Sequence, residues 1–279
     1  MKHSNIEWTT HTFNPWIGCT KVSPGCAHCY AETLNKRMGW TQWGDAGERF
    51  RTSPHNWNEP RRWNREAAKT GQRARVFCAS LADWLDDKAP TAWRVELLDL
   101  IAECTELDWL LLTKRPESWS ARMHEAMGAG SHIARTWLNG MAPHNVWIGV
   151  SAEDQTRWDE RMKLALEIPA EVRFVSGEPL LGPITMGAMR PDWLIVGGES
   201  GPGSREMKPE WVRALRDESA ATGVLFFFKQ WGGVKKKEAG RILDGETFDQ
   251  LPACAEESNM AVRHGAQAPL SGPTGSTSL

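Results

Sequence analysis

Among 279 residues there is a single tyrosine, and no apolar run approaches the roughly 20 residues that span a bilayer. The N-terminal stretch MKHSNIEWTTHTFNPW lacks the apolar centre of a secretory signal. Net charge is also scarce, at −2, so no global field draws the chain to nucleic acid or to a membrane surface. An anionic partner would have to be met by a local patch. These absences point to a cytoplasmic protein with no membrane partner. Cysteine is sparse too, with six residues. In a reducing compartment, cysteines set close together read as metal or cluster ligands more readily than as disulfides.

What is present is tryptophan, with sixteen residues against eight phenylalanines. Trp84, Trp93, Trp109, Trp147, Trp193 and Trp211 fall at the edges of expected elements, where a large ring packs and its N–H can still find an acceptor. They read as core and rim packing, not as a base-stacking surface. The length allows one large domain or two small ones.

Short, nearly continuous apolar runs recur along the chain. They are Arg75–Leu81, Asp108–Lys114, Asn145–Ser151, Val172–Gly177, Asp192–Glu199 and Gly223–Lys229. Such runs suit strands buried on both faces of a parallel sheet. Helical patterns lie between them: Thr91–Thr105, Asp154–Ile168 and Pro209–Thr222, the last with Pro near its start and Gly223 at its stop. With a further strand near Phe13–Gly18, the alternation predicts an α/β fold: a partial or nearly closed (β/α) barrel of six to seven units, with a doubly wound open sheet as the rival. Residues 1–254 read as a single domain carrying a Trp- and Arg-rich helical insertion at about 39–75. Residues 255–279, rich in Gly, Ser, Pro and Ala, read as a disordered tail.

Parallel α/β folds place their sites just beyond the C-terminal ends of strands. Those positions hold Ser80 and Asp83; Thr113, Lys114 and Arg115; Ser151 and Glu153; Glu178; Gly197, Gly198, Glu199 and Ser200; Lys229 and Gln230. Acids and bases after almost every strand imply a common polar face. In the segment VGGESGP, the two glycines allow a close backbone approach to a ligand, and Glu199 can accept from an amine. It is neither G-x-G-x-x-G nor a Walker motif. The basic run from Arg61 to Arg75 reads as a solvated helix face or a phosphate-backbone contact.

Three cysteines fall within eleven residues as Cys19-x6-Cys26-x2-Cys29. One reading is zinc, with a fourth ligand from His3, His11 or His55. A second is a redox dithiol of Cys26 and Cys29, which leaves Cys19 surplus. Three thiolates suit a [4Fe–4S] cluster better, because the fourth iron then stays open for a cofactor or substrate. Cys78 and Cys104 read instead as buried hydrophobes, and Cys254 lies near the polar tail.

Several segments together resemble the radical S-adenosylmethionine (SAM) enzymes. They are Asn14–Glu32 (NPWIGCTKVSPGCAHCYAE), Leu112–Pro116 (LTKRP), Trp147–Asp154 (WIGVSAED), Ser176–Pro183 (SGEPLLGP), Leu194–Gly201 (LIVGGESG) and Phe228–Gly232 (FKQWG). The likeness covers roughly residues 5–235. It is closest to a phage- and prophage-associated branch of radical-SAM-like proteins of unknown function, named after two phage gene products. The longer Cys19–Cys26 spacing, in place of C-x3-C-x2-C, is typical of that branch. The resemblance implies that Cys19, Cys26 and Cys29 bind the cluster and that S-adenosylmethionine serves as cofactor. It also implies a 5′-deoxyadenosyl radical that abstracts hydrogen from a substrate, and a reductant protein such as flavodoxin or ferredoxin. His28 or Tyr30 would flank the adenine. Ser151, Glu153, Gly197, Gly198 and Glu199 would contact the cofactor. Glu178, Lys114, Arg115 and Lys229 are the catalytic or substrate-binding candidates, the cations for anionic groups. The phage association suggests nucleic acid or a nucleotide as substrate. The alternative is a non-catalytic phage interaction protein that binds zinc or iron–sulfur.

Overall fold

The structure, a computed structural model, describes residues 4–235 and 238–253. The expected tail at 255–279, together with Cys254 and His3, lies outside the described residues.

The elements, in chain order, begin with β1 (His11–Phe13), β2 (Trp16–Ile17), α1 (Tyr30–Met38), β3 (Phe50–Arg51), α2 (Pro54–Thr70) and β4 (Ala74–Cys78). Next come α3 (Thr91–Glu103), β5 (Leu107–Thr113), α4 (Trp119–Gly128), α5 (His132–Leu138), β6 (Val146–Ser151) and α6 (Gln155–Glu167). The last are β7 (Val172–Gly177), β8 (Trp193–Gly197), α7 (Pro209–Thr222) and β9 (Leu225–Gln230).

Seven strands form one parallel sheet in the order β1-β4-β5-β6-β7-β8-β9. Each sheet strand lies beside the sheet strand that precedes it in the chain. The order never reverses, so there is no switch point of the doubly wound kind, and the architecture is a half-barrel flanked by helices. β2 and β3 form a separate antiparallel pair. The first sheet strand lies earlier than the Phe13–Gly18 reading and shares only Phe13 with it, because Asn14 and Pro15 turn the chain away into that pair. The insertion also ends earlier than expected. Its helix is α2, and Ala74 and Arg75 already pair in the sheet with Leu107 and Asp108.

Alternation along the strands separates two environments. Val76, Cys78, Trp109, Leu111, Val146 and Ile148 pack on one face within a large cluster that includes Leu97 and Ile101 of α3. Phe77, Leu110, Trp147, Phe174, Trp193 and Phe227 point to the other face, where Trp8 joins them. Their rings meet edge-on or tilted, as between Trp147 and Trp193 at 6.2 Å and 88° and between Phe174 and Trp193 at 5.8 Å and 46°. Gly149 lies two residues beyond Trp147 on the same face. A Cβ there would fall 2.2 Å from the Phe174 ring, so only glycine lets that ring cross the concave face. The aromatic layer fills the base of the half-barrel, and the strand ends above it are polar.

Most tryptophans are core residues, as their positions suggested. The indole N–H groups of Trp84 and Trp193, however, find no acceptor in the structure. Their rings are fully enclosed by apolar side chains, and packing outweighs the unmade bond. Cys78 and Cys104 are fully buried. The exposed edge of β9 is covered by the chain's later part, where Phe228 N–H donates to Phe248 O at 2.9 Å and Gln250 N–H to Phe226 O at 3.3 Å. Among the described residues no helix is long and apolar enough to cross a membrane.

Candidate functional site

Above the aromatic layer, the C-terminal ends of the strands enclose a cavity of about 430 Å3. Cys19, Cys26 and Cys29 open onto it, together with His28 and Tyr30. From the strand ends come Ser80, Asp83, Thr113, Lys114, Arg115, Ser151, Glu178, Gly198, Glu199, Ser200, Lys229 and Gln230. Nearly every residue singled out from its place after a strand is therefore brought to one cavity. Glu153 and Gly197 do not line it. Sequence reasoning missed Ser176, which lines the cavity, and Trp8, Phe77 and Leu112, which form its apolar floor.

The cysteine segment begins at Gly18, whose φ of 115° only glycine adopts readily. Its N–H donates to Leu81 O at 3.1 Å. Pro24–Cys26 make one 3-10 turn, and Cys29 caps α1. Polar groups from several elements tie this segment down. Arg115 donates through Nη2 to Thr20 O at 2.6 Å, and through Nη1 to Cys19 Sγ at 3.5 Å and Asp83 Oδ2 at 3.1 Å. Asp83 also accepts from Thr113 Oγ1 at 2.7 Å and Lys114 N–H at 2.9 Å, so it orders the whole end of β5. Glu153 accepts from Gly25 N–H at 3.0 Å and pairs with buried Arg161 at 3.0 Å. It supports the cysteine segment from behind, and this is why it faces away from the cavity.

On the far side, Glu199 bonds His28 Nδ1 at 2.9 Å, and Arg205 holds both its oxygens, at 2.9 and 2.5 Å. Arg205 also reaches Pro24 O at 3.1 Å. No sequence pattern flags Arg205, because its reach to Pro24 spans 181 positions.

Gly197 and Gly198 answer to a need inside the protein. A Cβ on Gly197 would lie 2.9 Å from Glu178 Oε1, and one on Gly198 only 1.8 Å from Trp231 O. The Gly198 N–H donates to Gln230 O at 3.0 Å, so it is already engaged. Gly197 leaves room for the Glu178 side chain, and Gly198 lets the chain after β8 approach the backbone that follows β9.

Within the cavity, Lys229 pairs with Glu178 at 2.6 Å, and Ser176 donates to the same carboxylate at 3.2 Å. Lys114 Nζ donates to Ser151 Oγ at 2.9 Å. Opposite charges and hydroxyls thus face one volume above an apolar floor, the usual make-up of a small-ligand site.

Burial pushes the Cys19 thiol up to about 12, with the Asp83 charge adding to it and Arg115 opposing. Burial likewise raises Cys29, against the Glu32 and Ala31 amides. Thiols so enclosed keep their protons until a cationic group displaces them. Among the described residues, no three His, Cys, Asp or Glu side chains are grouped to hold a single metal ion. A [4Fe–4S] cluster sets a different demand, since each thiolate takes its own iron. Free thiols opening onto one cavity, none in a disulfide, meet that chemistry.

Burial works to raise Glu199, but the hydrogen bonds from Arg205 and His28 bring it down to about 2. A carboxylate with a lowered folded-state pKa adds stability above its unfolded value and loses it as pH falls through the window from about 4.5 to about 2. Arg205→Met should therefore lower the urea midpoint more at about pH 7 than at about pH 2. Equal losses at both would contradict the tie.

Three of the six cations in the run from Arg61 to Arg75 are paired with carboxylates. Arg61 pairs with Glu103 at 2.7 Å, Arg62 with Glu59 at 2.5 Å and Arg73 with Asp108 at 2.8 Å. Only Arg73, 7% exposed, is withdrawn from the surface; Arg61 and Arg62 stay exposed beside their carboxylates.

No curated protein and no solved structure matches the chain. A family model does match, across residues 3–252, and so takes in the cysteine segment, every strand and the cavity. By that match the chain belongs to the family described as "Protein of unknown function (DUF5131)".

Proposed function

We propose that the chain is an enzyme of radical S-adenosylmethionine type, with Cys19, Cys26 and Cys29 holding a [4Fe–4S] cluster and S-adenosylmethionine bound beside it. The observation that carries this reading is the opening of three free thiols from one loop onto a cavity ringed by the strand ends of a half-barrel. When bound, the cluster and its cofactor supply one-electron chemistry for hydrogen abstraction.

The chain's own residues then have separable tasks. Arg115, Glu153 and Arg205 hold the cysteine segment from three directions. Glu178 offers a carboxylate to an ammonium group, while Lys229 and Lys114 offer ammonium groups to a carboxylate or phosphate. Trp8, Phe77 and Leu112 close the floor against water. The volume is in the range of a small-ligand site.

Anaerobic reconstitution with iron and sulfide should give a brown protein absorbing near ~400 nm. With a strong reductant and S-adenosylmethionine it should release 5′-deoxyadenosine. A protein that takes up zinc, takes up no iron and leaves the cofactor uncleaved would overturn the proposal.

A further inference from the structure

The three thiols are not alike. Cys19 Sγ accepts from Arg115 Nη1 at 3.5 Å, whereas Cys26 Sγ approaches only Ser23 Oγ, at 3.9 Å. Among the described residues, Cys19 is the one cysteine of the three with a cationic donor on its sulfur.

That donor is held in place from several sides. The same Nη1 donates to Asp83 Oδ2 at 3.1 Å, and Nη2 donates to Thr20 O at 2.6 Å. The side chains of Arg115 and Asp83 are only 7% and 6% exposed. Asp83 is fixed in turn by Thr113 Oγ1 and the Lys114 N–H. Thr20 is held a second time, through its hydroxyl, by Arg49, which pairs with buried Asp86. Nη1 carries two hydrogens and meets two acceptors, so that nitrogen is spent within the protein. This departs from the task expected of Arg115, the binding of an anionic substrate group. A tie for the segment alone would need only the Thr20 contact. Arg205 is such a tie, since it holds Pro24 O and touches no sulfur.

We propose that Arg115 is a positioning residue that acts through Cys19, its N–H···S bond raising the reduction potential of the cluster that this thiol would hold. The proposal rests on the functional reading above. Reduction adds one electron, supplied by an external one-electron reductant, and the ligand sulfurs share the added negative charge. A charged N–H aimed at one of them favours the reduced state. No covalent bond breaks, and Arg115 keeps its proton.

The test uses the full chain, reconstituted anaerobically with iron and sulfide. Iron per chain and circular dichroism are measured first. The potential then comes from a dithionite titration followed by electron paramagnetic resonance, which reads only the loaded fraction. Arg115→Met should lower the ratio of reduced to oxidised cluster at a set potential by at least about tenfold, which for a one-electron couple is about 59 mV. Arg115→Lys should fall between the two, because an ammonium keeps the charge without the fork. Arg205→Met removes a cation that is 34% exposed and screened, and should stay within about twofold of the parent. An unchanged potential in Arg115→Met, or an equal shift in Arg205→Met, would overturn the proposal. If Arg115→Met takes up no iron, Arg115→Lys decides: a parent-like potential, or no iron there either, leaves Arg115 a structural tie and overturns the tuning role. A parent chain that takes up no iron overturns the cofactor reading itself, whereas a loaded parent with unshifted variants overturns the tuning role alone.

Discussion

Cys26→Ala is expected to lower bound iron from about four per chain to below about one, with the fold unchanged. The expectation follows from how little Cys26 does for the folded protein. It is only half-buried, in a short 3-10 turn with no buried residue, and its sulfur approaches Ser23 Oγ at 3.9 Å. Removing it deletes no core packing, so lost iron would report ligation and nothing else. Cys78→Ala supplies the opposite control. Cys78 is fully buried in β4 within the sheet–helix core. Its truncation should cost on the order of 1 kcal/mol in stability and leave iron content unchanged. Iron determined by a chelator assay, with circular dichroism on the same samples, separates the two. A Cys26→Ala protein that retains its iron would sink the ligand assignment.

Asp86→Ala is expected to be the most destabilising single change near the site, by about 3–5 kcal/mol. Asp86 and Arg49 have side chains at 0% exposure and pair at 2.8 Å. Arg49 also donates to Gly44 O, Gly47 O and Thr20 Oγ1, so one guanidinium organises the turn beneath the cysteine segment. Without Asp86 that charge stays buried and uncompensated, which costs far more than the pair itself contributes. Thermal melting should fall by about 10 °C. A joint Arg49→Met, Asp86→Leu replacement should recover much of this, because no buried charge remains. Its iron uptake should still suffer, since Thr20 and residues 44–47 lose their donor. A single Asp86→Ala variant that melts like the parent would refute the account.

Six of the seven sheet strands were legible as apolar runs, because a strand buried on both faces writes its burial into consecutive residues. The exception is β1, three residues of mixed polarity that earn their place by pairing with Val76, Phe77 and Cys78. Helices α4 and α5 were also missed. They cover one side of the sheet with residues such as Met123, Ala126 and Trp137, too few and too short for a clear period. The cavity residues were legible from a rule of position, since strand ends in parallel folds share one face. Even so, the rule could not tell a residue aimed into the cavity, such as Glu178, from one aimed behind it, such as Glu153.

The sequence by itself determined the alternation of strands and helices, the parallel sheet that follows from it, and the three close-set thiols. All of these are local properties, carried by apolar runs of a few residues or by spacing within one loop. Tertiary structure alone decided what surrounds those thiols. Arg115 reaches Cys19 across 96 positions, and Glu153 reaches Gly25 across 128. Glu199 meets His28 across 171. Such pairings depend on strand order and register, which set distances between segments that no local pattern connects.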